Sequence, residues 1–222
     1  MRYLILNISL AVIPALLLLL FFYNKDKQKK EPVSLILKVF IFGFISVLPA
    51  ILIEMLLAYF IPDRSQLFNI IFRAFIIAAL VEEGIKLKTV MLFAFPNNNF
   101  DEAADGIVYT ITASLGFAVF ENIFYSFGPI STLLLRGITA VPLHAIASGI
   151  MGYYIGKSKF GDQKLKYKGL AIAVFIHGFY DFFLFYGSWL PVLIIPLLII
   201  SGRVLLKLYK SALQNDRTFG RS

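Results

Sequence analysis

Polar and apolar positions along this chain fall in long blocks. Apolar runs cover 4–23, 33–61, 67–95, 105–127, 131–156, 169–187 and 190–206, with short polar turns between them. Each run is long enough for a helix crossing, which takes about 20 residues. The pattern predicts an all-α fold, a polytopic transmembrane helix bundle of about seven spans. Nothing is left over for a soluble unit, so residues 1–222 read as a single transmembrane domain. The first run is too long for a signal-peptide core and lacks a small-x-small site before "NKDKQKK", which makes it a retained span.

Composition agrees with this reading. Hydrophobic residues make up 59% of the chain and charged residues only 15%, against about a quarter charged in soluble domains. The net charge of +8 would suggest nucleic acid in a soluble protein, but here the basic residues sit between the spans. They gather in "NKDKQKKEP", "KSKFGDQKLKYK" and the tail from Arg203, whereas "PDRSQ", "GPIS" and "YGSWLP" are nearly uncharged. The positive-inside rule then puts the N-terminus outside and the C-terminus in the cytoplasm. The loop "PNNNFDEAAD" dissents through Asp101, Glu102 and Asp105. Acidic residues weigh little in topology, so these either cap a helix or contact a substrate or metal. Cysteine is absent, which excludes disulfides, thiolate zinc sites and a cysteine nucleophile. Ser148, Gly152 and Gly156 form a small-residue stripe that would let the fifth span pack closely on a neighbour.

The informative residues are the polar ones inside the apolar runs. An ionisable group near the bilayer centre costs roughly 2.5–3.5 kcal/mol. Glu82, Glu83, Glu121 and Asp181 together would cost on the order of ten, comparable with a typical net stability of about 5–15 kcal/mol. Such groups are expected to be paired, protonated or beside a wet cavity, and to be functional. Their spacing is helical: Glu82 and Lys86, Phe117 and Glu121, His144 and Ser148, and His177 and Asp181 are each four apart and share a face. At 1.5 Å per residue, Glu82 and His144 lie roughly 20 Å from the outer ends of their spans, His177 about 15 Å and Glu121 about 9 Å. One site in the outer half or centre of the bilayer could collect them all. Its inventory suits deprotonating a water, binding a divalent cation or relaying protons. Lys86 would offset negative charge, and Asp181 could orient the His177 ring. Arg73 and Arg136, near outer span ends, read as snorkelling side chains; Glu54, in the outer part of the second span, reads as paired with a lysine or arginine or as protonated, with membership of the site the lesser alternative.

The motifs Glu82-Glu83-x-x-Lys86, Phe117-x-x-x-Glu121, His144-x-x-x-Ser148 and His177-x-x-x-Asp181, with "FDEAADGIVYTITASLGFAVFENIFY" and "MGYYIGK", resemble the PrsW family of intramembrane proteases over nearly the whole chain. That family is related to the type II CAAX prenyl proteases and bacteriocin-processing membrane proteases. The resemblance implies a peptidase of the bacterial cell membrane that makes the first, extracytoplasmic cut in a membrane-anchored anti-sigma factor. It implies catalytic roles for Glu82, Glu83, Glu121, His144, His177 and Asp181, supported by Lys86, Phe117 and Ser148. Glu121 stands where the relatives usually carry a histidine, and the last motif ends in Asp181 where an amide is usual, so roles do not transfer directly. Two mechanisms stay open. In one, Glu82 or Glu83 deprotonates water and His177 donates to the oxyanion. In the other, Glu121, His144 and His177 hold a divalent metal such as zinc. A proton- or ion-coupled transporter would bury similar groups, but the spans lack the paired, interrupted halves of that class.

Overall fold

The computed structural model describes residues 2–25, 29–61 and 64–219, with side chains described over 5–25, 29–61 and 64–214. Parts of "NKDKQKKEP", "PDRSQ" and the C-terminal tail, used above to infer direction, lie outside the described residues. Every regular element described is helical: α1 (Arg2–Lys25), α2 (Val33–Ile45), α3 (Val47–Tyr59), α4 (Gln66–Phe72), a π-helical stretch Arg73–Leu80, α5 (Val81–Phe93), α6 (Ala103–Tyr125), α7 (Ile130–Ile138), α8 (Ala140–Lys159), α9 (Leu165–Tyr186), a 3-10 turn Leu190–Leu193 and α10 (Ile194–Phe219).

Six stretches among the described residues are long and apolar enough to cross a membrane: Ile5–Lys25, Val33–Tyr59, Ala103–Tyr125, Ile130–Lys159, Leu165–Tyr186 and Leu190–Gln214. The remaining expected passage is the run of α4, the π stretch and α5. It is set apart by charge, because it carries Arg73, Glu82, Glu83, Lys86 and Lys88. The most highly charged passage is thus the one that holds the paired glutamates.

Two of the expected spans are broken by proline. Pro49 has no N–H for the Ile45 carbonyl, and the helix divides into α2 and α3 at Ser46, whose hydroxyl donates to the Gly43 carbonyl at 2.7 Å. Pro142 likewise leaves the Ile138 carbonyl without its donor. There α7 gives way to α8 at Thr139 (φ −123°, ψ −63°), which donates its hydroxyl to the Leu135 carbonyl at 2.7 Å. This second break lies five residues before His144 and sets the direction in which α8 presents it.

Helix α6 is the axis of the bundle. It is buried almost all round from Ala104 to Val119, as befits a helix with no polar face. It packs chiefly on α8, α2 and α1. Lipid tails are as apolar as leucine, so close packing of small residues has to supply the attraction between helices. Gly106 of α6 sits directly against the backbones of Gly152 and Gly156 of α8; a Cβ at Gly106 would collide with both. On the other side, Gly43 of α2 meets the backbone of Ala113, and Gly116 meets that of Phe40. The outer helices instead expose large apolar side chains such as Leu52, Met55 and Leu56 of α3, a surface suited to lipid.

Candidate active site

Five helices deliver the polar residues to one place. Just after the π stretch, the first turn and a half of α5 carries Glu82, Glu83 and Lys86. π-helical turns are rare and concentrate at functional sites; this one packs against α9, where Gly178 leaves room for Phe75 beside His177. Helix α6 contributes Phe117 and Glu121, α7 Arg136, α8 His144 and Ser148, and α9 His177 and Asp181. Glu82, Glu83, Lys86, His144, Ser148, His177 and Asp181 are all buried.

A continuous chain of polar contacts joins them. Lys86 Nζ donates to Glu83 Oε1 at 2.8 Å and to Glu82 Oε2 at 3.2 Å, and lies 2.9 Å from His144 Nδ1. The ammonium also sits 4.4 Å from the centre of the Phe117 ring, a favourable cation–π geometry. Ser148 donates its hydroxyl to Glu83 Oε2 at 2.7 Å, and His177 Nδ1 lies 3.0 Å from Glu83 Oε1. Both oxygens of Glu83 are therefore taken. His144 Nε2 lies 2.8 Å from Glu121 Oε2, and the two imidazoles meet edge to face at 5.2 Å.

The two histidines are held alike. An imidazole that donates one N–H to a carboxylate keeps a lone pair on its other nitrogen, the usual arrangement of a metal-binding histidine. For His144 the carboxylate is Glu121 and the other nitrogen, Nδ1, accepts from Lys86, a contact that a metal ion there would have to displace together with the one from Lys86 to Glu82; for His177 the carboxylate is Glu83 and the other nitrogen is Nε2. Glu82 Oε2 lies 3.9 Å from His177 Nε2. Among the described residues, Glu82, His144 and His177 form the group whose ligand atoms all come within 4.8 Å of one another. One of the two mechanisms left open above took Glu121 as the third ligand; the group of neighbouring ligand atoms contains Glu82, and Glu121 lies behind His144.

Charge points the same way. Among the described residues, Glu82, Glu83, Glu121 and Asp181 pair with Lys86 and Arg136 as permanently positive partners and with no others. In a low-dielectric interior that surplus of carboxylates calls for a cation or for protons. Asp181 Oδ2 is buried 3.3 Å from His177 Nε2 but off the line of a hydrogen bond, which leaves it without a donor. The ring-orienting role expected of Asp181 thus falls to Glu83.

One residue was misread from the chain alone. Arg136 does not snorkel: its Nη2 donates to Glu121 Oε2 at 3.2 Å and its Nε to Asn122 Oδ1 at 2.6 Å, and it lies over the Tyr125 ring. An ionisable side chain inside a span faces the bundle by default, and that rule, applied to Arg136, would have found it. Glu54 is half-buried on the stripe of α3 that carries Val47, Ala50 and Ile51 against Val81, Ile85, Phe117 and Phe120. Its carboxyl is within electrostatic reach of Glu121, Lys86, His177 and Asp181. Arg73 is exposed.

A bundle of membrane helices enclosing two carboxylate-backed histidines and a glutamate offers the donor set of a membrane-embedded metallopeptidase. Residues 31–205 match the PrsW family intramembrane metalloprotease, and the chain belongs to that family. It is 39% identical to Protease PrsW of Geobacillus kaustophilus over 80% of this chain and 79% of that protein. It is 35% identical to Protease PrsW of Bacillus subtilis over 80% of this chain and 82% of that one. With Protease PrsW of Oceanobacillus iheyensis it shares 36% identity over 94% and 96% of the two chains. No solved structure matches. The transporter alternative gives way to the peptidase.

Proposed function

We propose that this protein hydrolyses a peptide bond in a membrane-anchored substrate near the outer face of the membrane, as site-1 protease of an anti-sigma factor, with its N-terminus outside and its C-terminus cytoplasmic. The observation that carries the chemistry is the triplet of Glu82, His144 and His177, with Glu121 and Glu83 behind the two rings. These three residues would hold a divalent ion such as zinc. Bound there, the ion would polarise the scissile carbonyl and bring the pKa of water to about 7.

The chain's own residues do the rest. Glu83 and Glu121 accept the ring N–H groups and keep each lone pair directed inward. Lys86 holds Glu82 and Glu83 together against their mutual repulsion, while Phe117 supports its ammonium. Asp181, with an oxygen that has no donor, takes the proton from the attacking water as the new C–O bond forms. It returns that proton to the amide nitrogen as the C–N bond breaks. Ser148 fixes the outer oxygen of Glu83 and is not a nucleophile.

The test is co-expression with an epitope-tagged single-pass anti-sigma factor from the same genome, for wild type, Glu82→Gln and His177→Ala at equal membrane levels. Cleavage by wild type alone supports the reading. Equal cleavage by all three removes the triplet from the chemistry. Purified enzyme that cuts at full rate after exhaustive chelation contradicts the metal.

A further inference from the structure

We infer that Arg136 is a positioning residue of the peptidase, acting through Glu121 to hold His144 in the ring orientation and tautomer that direct Nδ1 into the site. The inference rests on the ligand triplet proposed above. It begins with the fit of the guanidinium to its surroundings. Arg136 is a single positive charge on a short helix, turned inward so that only 16% of its side chain is accessible, and it meets three groups at once. Nη2 reaches Glu121 Oε2, Nε reaches Asn122 Oδ1, and the guanidinium plane lies 4.0 Å from the centre of the Tyr125 ring. Asn122 is itself buried and tied to α1 by its amide, which donates to the Ala11 carbonyl at 3.3 Å. The guanidinium is thus fixed by two side chains besides Glu121, so its planar fork sets the direction of the Glu121 carboxylate rather than following it.

Glu121 has two neighbours with opposite demands. The oxygen that Arg136 holds is the same Oε2 that faces His144 Nε2. Arg136 presents this Glu121 oxygen to the ring as an acceptor, so His144 carries its proton on Nε2. Nδ1 is left with its lone pair toward Lys86, Glu82 and His177. Without Arg136, the Glu121 carboxylate loses the fork that sets its direction and is free to rotate away from Nε2, which releases the ring. The Thr139 break, with its hydroxyl 3.1 Å from Tyr180 OH, ties the last turn of α7 to α9 and fixes the distance from Arg136 to the site.

A merely structural ion pair would change stability and leave the ligand atoms as they were. The distinguishing readout is metal affinity. Zinc binding to the purified full-length protein in detergent is measured by competition with a chromophoric chelator, for wild type, Arg136→Gln, Arg136→Lys and Arg73→Gln. Loss of an outer-shell partner typically weakens metal binding about 10–100-fold, and that is the expected change for Arg136→Gln. Arg136→Lys, which keeps the charge but not the fork, falls between, and Arg73→Gln binds as wild type. If Arg136→Gln fails to fold by size exclusion and thermal unfolding, Glu121→Gln tests the same link, with the same expected loss and little change in shape. Wild-type affinity in Arg136→Gln, or in Glu121→Gln where that stands in for it, overturns the inference and leaves the triplet intact. A wild type that binds no zinc overturns the triplet and this inference with it.

Discussion

Helix α6 ends in a cluster of carboxylates on each side of the bundle, and only one of the two is a site. At its N-terminal end Asp105 Oδ2 accepts the backbone N–H groups of Asp101 and Glu102 at 2.9 and 2.7 Å. Glu31 accepts the Tyr109 hydroxyl, and Lys29 pairs with Asp101. About 24 Å further along the helix, Glu121 enters a network that contains both histidines of the chain. Each cluster buries one carboxylate oxygen without a hydrogen-bond partner, Asp105 Oδ1 and Asp181 Oδ2. An orphan oxygen therefore does not make a site. The first cluster spends Asp105 on the unpaired N–H groups that begin a helix, and Glu31 and Asp101 on a tyrosine and a lysine. The second sets them behind imidazoles, and imidazole supplies the lone pair that a metal or a proton needs.

Substitution can break this contrast, and the largest effect is expected in the second cluster. Glu82→Gln or His177→Ala lowers the rate of substrate cleavage by about 10²–10⁴-fold, while thermal unfolding in detergent shows the bundle still formed. A smaller, purely structural effect falls between the clusters. Gly106→Ala puts a methyl group against the Gly152 and Gly156 backbones and lowers stability by about 1–3 kcal/mol, read as a drop in melting temperature. Asp105→Asn then separates the two ends of α6. It costs about 1 kcal/mol of stability, as loss of a helix-start acceptor does, and leaves turnover per folded molecule unchanged; a fall in turnover would make the first cluster functional.

The smallest effect belongs to the exposed pair. Asp101→Asn changes stability by less than about 0.5 kcal/mol, and salt shrinks the difference further. Asp101 beside it raises Lys29 above its ordinary 10.5. What the pair contributes is therefore complete below that pH and is lost as pH rises past the raised value. Melting curves of wild type and Asp101→Asn at rising pH should converge.

Much of the fold was legible because its signals are local. Block length announced the helices, and the small residues at 148, 152 and 156 announced a close neighbour, which proves to be Gly106 of α6. The acidic loop allowed two readings, and the backbone bonds of Asp105 favour the helix cap. The bends at Ser46 and Thr139 could have been read from Pro49 and Pro142, but an apolar run masks a proline in any count of hydropathy. In the candidate site, the structure brings the four polar pairs into one neighbourhood, but partly with other partners than their spacing suggested. Ser148 was expected beside His144 and instead donates to Glu83; Asp181 was expected to orient His177, which Glu83 does.

By itself, then, the sequence determined that helices cross a membrane, which residues are too costly to be there by accident, and which of them share a helical face, because each of these follows from periodicity or from a single residue's transfer energy. Only the tertiary structure decided which carboxylate stands behind which ring, that Glu82 faces both rings while Glu121 stands behind His144, and that Arg136 turns inward. Those outcomes depend on distances between helices far apart in the chain, and these are set by where α6 lets its neighbours approach and by the turns lost at two prolines.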